Sequence, residues 1–215
     1  MSRLIRVVAM SDTHNSKLKS VPPGDLLIHA GDLTGVGTDV QMTAALDWLG
    51  SLPHPHKVVV AGNHDFVAEN DPDLMSKLCS DRGIVYLCRS LEVVEGLAIW
   101  GSPWTPRFFD WAFMYGRGNH ARSHWLDVPE DLDILVTHGP PFGMGDRAMG
   151  RSVGCVELLE RVLAMRAPPR AHVFGHIHSD RGEFRLGDDC RTRFYNVATD
   201  YARHPATTFD LEVRW

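Results

Sequence analysis

The amino-acid sequence predicts one α/β domain spanning residues 1–215, and three features carry that expectation. Short β-branched runs alternate with helically periodic segments along the whole length, with no internal repeat or low-complexity linker between them. Several of the β-type runs are continuously apolar, which suits strands buried on both faces under helices. With 215 residues, 44% hydrophobic and 23% charged, the chain has the size and composition of a soluble globular unit with a single core.

Taken in order, "LIRVVAM" (4–10) and "DLLIHA" (25–30) read as strands. Thr38 with Gln41 three residues later forms a candidate capping box for a helix running to about Leu49. "KVVVA" (57–61) is the next strand, and Asp71 before Pro72 starts another helix. Strands follow at "IVYL" (84–87), "LEVVEG" (91–96), "LAIWG" (97–101) and "DILVT" (133–137). Leu159, Val162, Leu163 and Arg166 recur at helical spacing in 155–166, where Glu157 and Arg161 stand at i, i+4 for an ion pair. "AHVFG" (171–175), "RFYNVA" (193–198) and "TTFDLEV" (207–213) complete the strands.

Composition excludes several function classes. The formal net charge is −5 and no basic arm is present, which disfavours a nucleic-acid partner and with it a nuclease. No apolar run approaches the ~18 residues of a membrane span, and the start "MSRLIRVVAMSDTH" lacks a cleavage site, so a cytoplasmic location is expected. Cys79, Cys88, Cys155 and Cys190 lack metal-type spacing and read as reduced thiols.

The chemistry lies where strands end. Asp12 and His14 follow the first strand, Asp32 the second, Asn63, His64 and Asp65 the third, His138 the strand at 133–137, and His176 and His178 the strand at 171–175. Loops after parallel strands converge on one edge of a sheet. Each segment alone is ordinary: Asp12–His14 would suit a helix N-cap, Gly31–Asp32 a turn, Thr137–His138 a buried histidine, Asn63–Asp65 a polar loop. Together, each directly after a strand, they supply imidazole, carboxylate and amide donors suited to Zn, Mn or Fe. Two such ions about 3.5–4 Å apart clamp a phosphate and ionise a bridging water near neutral pH. Gly31, Gly62 and Gly175, placed before Asp32, Asn63 and His176, let the backbone approach where ligands crowd. His54 and His56 share the i, i+2 spacing of His176 and His178 but stand in a proline-broken loop and read as structural.

The series "DTH", "GD", "GNHD", "THGPP", "GHIH" resembles the calcineurin-like metallophosphoesterase superfamily. Its flanking text, including "IWGSPWTPRF" and "VGCVELL", is similar to the metallophosphoesterase-domain-containing proteins of animals and their bacterial relatives. The resemblance implies a two-sheet β-sandwich flanked by helices, with the metal site at strand C-terminal ends. It also implies that Asp12, His14, Asp32 and His178 hold one ion, that Asp32, Asn63, His138 and His176 hold another, and that His64 faces the leaving-group oxygen as a catalytic acid. His176 and His178 would then serve different ions. Many members carry an acidic residue at GD-x-x-D that orients the catalytic histidine; here that place is Gly35, leaving Asp65 as the candidate orienter. Some animal relatives have glycine in the place of His176, which this chain keeps.

The expected function is that of a metal-dependent phosphoesterase, acting on cyclic nucleotides or other nucleotide-like phosphodiesters through a metal-bridging hydroxide, with two divalent ions, Mn²⁺ foremost and Fe or Zn as alternatives. A nucleotide-binding regulatory protein with feeble hydrolytic activity is the alternative. The aromatic stretch 102–120 reads as packing or as a nucleobase platform, with Arg107 or Arg117 meeting phosphate. In the Gly-rich loop 139–151, Arg147 or Arg151 is placed to reach a small phosphate-ester or nucleotide substrate. "GVG" at 35–37 reads as a turn.

Overall fold

The computed structural model describes residues 2–214. The chain opens with strand β1 (Ser2–Met10), β2 (Leu26–Ala30), helix α1 (Asp39–Ser51), β3 (His56–Val60), helices α2 (Phe66–Asn70) and α3 (Pro72–Ser80), and β4 (Val85–Tyr86). A hairpin of β5 (Ser90–Val94) and β6 (Leu97–Ser102) leads to a short ribbon, β7 (Thr105–Pro106) with β8 (Met114–Tyr115). Helix α4 (Asn119–Trp125), β9 (Ile134–Thr137), the ribbon β10 (Arg147–Ala148) and β11 (Arg151–Ser152), and helix α5 (Val156–Ala164) follow. The chain closes with β12 (Ala171–Phe174), β13 (Gly182–Phe184), β14 (Arg193–Asn196) and β15 (Thr207–Arg214).

The strands form a five-stranded sheet ordered β15-β1-β2-β3-β4 and a six-stranded sheet ordered β13-β14-β12-β9-β6-β5. In the first, β1 to β4 run parallel and β15 is an antiparallel edge; in the second, β14, β12, β9 and β6 run parallel between antiparallel edges. Side-chain alternation along the central strands explains the layering. Ile5, Val7 and Ala9 on β1, Leu26 and Ile28 on β2, and Val58 and Val60 on β3 face Ile99, Ile134, Val136 and Val173 of the other sheet. The intervening Val8, Met10, Leu27 and Val59 pack against Met42, Leu46, Leu49 and Met75 from α1 and α3. On the far side Leu135, Phe174 and Phe194 pack against Trp125, Leu158 and Val162 from α4 and α5. This is the expected helix-flanked sandwich, with both faces of the middle strands dry.

Local chemistry sets the helix ends. Asp71 accepts from Leu74 N–H at 3.0 Å with Pro72 as the first residue of α3, as expected. Thr38 accepts from Gln41 N–H at 3.3 Å, but the Gln41 side chain accepts from Val36 N–H at 2.9 Å rather than returning to Thr38, so the capping box is half formed. The expected Glu157–Arg161 pair is absent: Arg161 reaches Glu130 at 2.8 Å, while Glu157 accepts from Gly118 N–H. Each finds a partner off the helix, anchoring α5 to its neighbours. The strand expected at 84–87 is reduced to Val85–Tyr86, an edge paired only with Val58 and Val59. All four cysteines are free, and burial pushes the Cys79 thiol up to about 12. His54 and His56 have structural partners, as expected, His54 Nε2 lying 2.9 Å from the Pro22 carbonyl and His56 Nε2 2.8 Å from Glu95, but only His54 is in the loop, since His56 opens β3 and pairs with Leu26. No helix among the described residues is long and apolar enough to cross a membrane.

The two sheets meet at one end. A parallel bridge between Ser11 and Ala198 joins the exit of β1 to that of β14, and Gly175 N–H donates to the His138 carbonyl at 3.0 Å. The strand tips of both sheets therefore empty into the same place.

Candidate metal centre

Four of the tip residues sit in left-handed backbone: Asp12, His14, Asp32 and His176 have φ of 55°, 46°, 54° and 69°. Strain of this kind concentrates where side chains must be aimed. The glycines that precede Asp32, Asn63 and His176 leave the room expected of them. A Cβ at Gly31 would lie 2.5 Å from His138 Nδ1, one at Gly62 2.3 Å from Asp32 Oδ1, and one at Gly175 2.2 Å from Asp12 Oδ2.

Ligand atoms of Asp12, His14 and His178 lie within 4.8 Å of one another, as do those of Asp32, His138 and His176, and those of His14, Asp32 and His64. Asp32 lies between the groups, its Oδ2 3.8 Å from His14 Nε2 and its Oδ1 3.4 Å from His138 Nε2. Asn63 joins the second group, its Oδ1 2.9 Å from His138 Nε2. The structure thus brings together Asp12, His14, Asp32, Asn63, His64, His138, His176 and His178, and leaves Asp65 outside these groups.

Outer partners aim the rings. His14 Nδ1–H donates to the Thr34 carbonyl at 3.0 Å, His138 Nδ1–H to the Ala30 carbonyl at 3.0 Å, and His178 Nδ1–H to Asp200 at 3.0 Å. Each bond leaves Nε2 directed inward, the arrangement of a ligating imidazole. His14 Nε2 is buried and has no hydrogen-bond partner among the described residues, a state that a cation would relieve. The donor set and this orphaned nitrogen fit divalent ions.

Charge in the cluster is finely opposed. Burial would raise Asp32, but the charge and hydrogen bond of His138 hold its carboxyl well below the usual range. Burial would lower His138, yet Asp32 and Asp12 push it up to about 9. Burial likewise opposes His178, which Asp12 and Asp200 nevertheless raise. His176 is held down to about 4 by burial and by the charge of His138.

His64 stands beside this floor. Its N–H donates to Asp32 Oδ1 at 2.8 Å, and its ring packs on Trp111 with centroids 4.2 Å apart. The orienter of its side chain is the backbone: Nδ1–H donates to the Gly35 carbonyl at 2.7 Å. Asp65, the expected candidate, is committed elsewhere, accepting from Leu33 N–H, Thr34 N–H, the Thr34 hydroxyl and Gly62 N–H. Its carboxylate thereby ties the loop after β2 to the loop after β3.

A cavity of about 360 Å³ opens above these residues, lined also by Pro106, Phe108, Arg117, Ile177 and Tyr201. Of the arginines marked in the sequence, only Arg117 lines it, and its guanidinium donates to the carbonyls of Val153 and Gly154. Arg107 pairs with Asp110 on the surface, and Arg147 and Arg151 lie on the exposed ribbon β10–β11. Asp200 and Tyr201, absent from the sequence reading, belong to the site; a lone Asp-Tyr in a loop carries no motif.

The family model described as calcineurin-like phosphoesterase matches residues 5–180. Metallophosphoesterase domain-containing protein 1 of Homo sapiens is 42% identical over 202 residues, covering 82% of this chain and 61% of the human protein. This chain therefore spans about three fifths of that relative. A UPF0046 protein of Caenorhabditis elegans is 34% identical, covering 90% of this chain and 75% of its own length. The crystal structure of TT1561 from Thermus thermophilus shares the fold at a TM-score of 0.61 and 12% identity, covering 97% of this chain and 99% of that one. With strand tips, metal-type clusters and family match in agreement, the chain belongs to the calcineurin-like phosphoesterase family.

Proposed function

We propose that the protein hydrolyses phosphodiesters, cyclic nucleotides or other nucleotide-like compounds among them, with two divalent ions, manganese foremost. Asp12, His14, Asp32 and His178 would hold one ion, and Asp32, Asn63, His138 and His176 the other. The observation that carries this reading is the position of Asp32 between two His/Asp groups at the floor of an open cavity, with His64 alongside. Bound ions of this kind polarise phosphate and lower the pKa of a coordinated water.

The chain's own residues supply the rest. The Gly35 carbonyl holds His64 Nδ1–H, so Nε2 is the nitrogen turned to the departing oxygen; the imidazolium form, protonated on both nitrogens, gives its Nε2 proton to that oxygen and is left as the neutral Nδ1–H tautomer. Preference for a diester follows from charge. Arg117 is the one arginine or lysine lining the cavity among the described residues, and it is engaged with loop carbonyls, so the walls offer little to the second negative charge of a monoester. Phe108 and Tyr201 give a flat organic group apolar surface to lie against.

The test is hydrolysis of bis(p-nitrophenyl) phosphate and p-nitrophenyl phosphate by protein before and after chelation and after Mn²⁺ return. The expected result is activity lost on stripping, restored by Mn²⁺, and higher kcat/KM for the diester. Full activity in stripped protein would remove the metal assignment, and a faster monoester would remove the diester assignment.

A further inference from the structure

Asp200, Tyr201 and Ala202 hold three consecutive left-handed conformations, with φ of 46°, 57° and 62°. Aspartate tolerates this region better than most residues, but Tyr201 and Ala202 carry a steric penalty that persists only where surrounding contacts enforce it. Those contacts reach the tip of β1. Thr199 donates to the Ser11 carbonyl through N–H at 3.0 Å and through its hydroxyl at 2.7 Å, and Tyr201 N–H donates to the Asp12 carbonyl at 3.0 Å.

The turn delivers two side chains to one group of ligands. Asp200 Oδ1 accepts from His178 Nδ1–H at 3.0 Å, while Arg203 holds Oδ2 from the other side at 3.0 Å. The Tyr201 ring stacks on His14, with centroids 4.3 Å apart and planes at 22°, and meets His178 edge-on at 5.9 Å. Both imidazoles of the Asp12–His14–His178 group therefore lean on residues 200 and 201. His138, in the other group, has only the neutral Ala30 carbonyl behind it.

We propose that the Asp200–Tyr201–Ala202 turn is a positioning element that makes the Asp12–His14–His178 site the tighter of the two cation sites, with Asp200 and Tyr201 as its working side chains. The proposal rests on the two-ion reading above. A carboxylate behind a ligating imidazole fixes its tautomer and strengthens it as a donor, whereas a carbonyl fixes the tautomer with less gain in basicity. The stacked tyrosine removes the rotational freedom that His14 would otherwise lose on binding an ion.

The experiment is calorimetric Mn²⁺ titration of the full chain, as wild type and as His176→Gly, which removes a ligand of the second site and leaves the first. Wild-type protein that binds no Mn²⁺ defeats the two-ion reading itself. If wild type binds two ions, Asp200→Ala should weaken the tight step by about 10–100-fold in both backgrounds. The weaker wild-type step should stay unchanged. Asp200→Asn should recover part of the loss, because its amide oxygen still accepts from His178, and Tyr201→Leu should weaken the same step. Thermal midpoints without metal accompany each titration; should Asp200→Ala not fold, Asp200→Asn and Tyr201→Leu decide. Two outcomes overturn the proposal: Mn²⁺ binding untouched by these changes, or both steps weakened equally in parallel with the thermal midpoint.

Discussion

Gly62→Ala isolates the close approach on which the site depends. Gly62 is outside the left-handed region that penalises side chains, so the effect of the methyl group is one of space. Its carbon would lie 2.3 Å from both the N and Oδ1 of Asp32 and 2.8 Å from His138 Cε1. Ordinary contact begins near 3.4 Å, so roughly 1 Å must open between the β2 and β3 tips. Overpacking of that size costs about 1–3 kcal/mol, which lowers the thermal midpoint of metal-free protein by about 2–12 °C in a chain of this length. The functional loss should be larger, because Asp32 is placed between both groups: a misplacement near 1 Å in a reacting site costs about 10²-fold. The assay combines Mn²⁺ stoichiometry after gel filtration, thermal midpoint without metal, and turnover of the aryl diester. Gly83→Ala is the control, since Gly83 has φ +63° but nothing within 4 Å of its added carbon; it should cost backbone strain alone and leave metal content intact. A Gly62→Ala protein with two tight ions and parental turnover would refute the crowding argument.

Other predictions concern single groups. His64→Ala should keep both ions while kcat falls by about 10²-fold, and loss of metal in step with activity would make His64 a ligand instead. His138, raised to about 9, and His178, also raised, carry protons in the metal-free chain that an ion must displace. Mn²⁺ binding should therefore release protons and tighten as pH rises toward about 9, read by titration in buffers of different ionisation enthalpy; a pH-independent affinity between 6 and 9 would contradict this. Asp65→Ala strands buried donors on Leu33, Thr34 and Gly62 and should destabilise the metal-free protein by about 3 kcal/mol or more, checked by denaturant midpoint; a change under about 1 kcal/mol would show that the loops do not need the carboxylate.

Much of this site was legible because strand periodicity and polar strand ends are written locally. Val58–Val60 followed by Gly62-Asn63-His64 declares a buried strand, a close approach and donors within a few residues. The orienter of His64 was not legible, since a backbone carbonyl has no letter: Gly35 looks like a missing acid, yet its oxygen sits 2.7 Å from Nδ1. Asp200 and Tyr201 escaped for a different reason. Their role depends on a left-handed turn whose residues, unlike glycine, do not advertise it, and on Ser11 and Asp12 far back in the chain. Arg161 shows the limit of helical spacing, because Glu130 from another segment outcompeted Glu157 for it. The ribbons β7–β8 and β10–β11 are too short to leave a periodic trace.

The meeting of the two sheets at Ser11 and Ala198 bears on how the molecule comes apart. Asp12, His14, Asp32 and Asn63 hang from one sheet, and His138, His176 and His178 from the other. A cation shared among them would act as a rivet through the seam, holding segments some 160 residues apart in sequence as a disulfide would, yet removable. Its grip would depend on ion supply: at 100 times the dissociation constant, a ligand confined to the native state adds about 2.7 kcal/mol. Starvation for the ion would then expose the chain to unfolding and proteolysis as well as silencing it, so cellular abundance of the protein would report metal status.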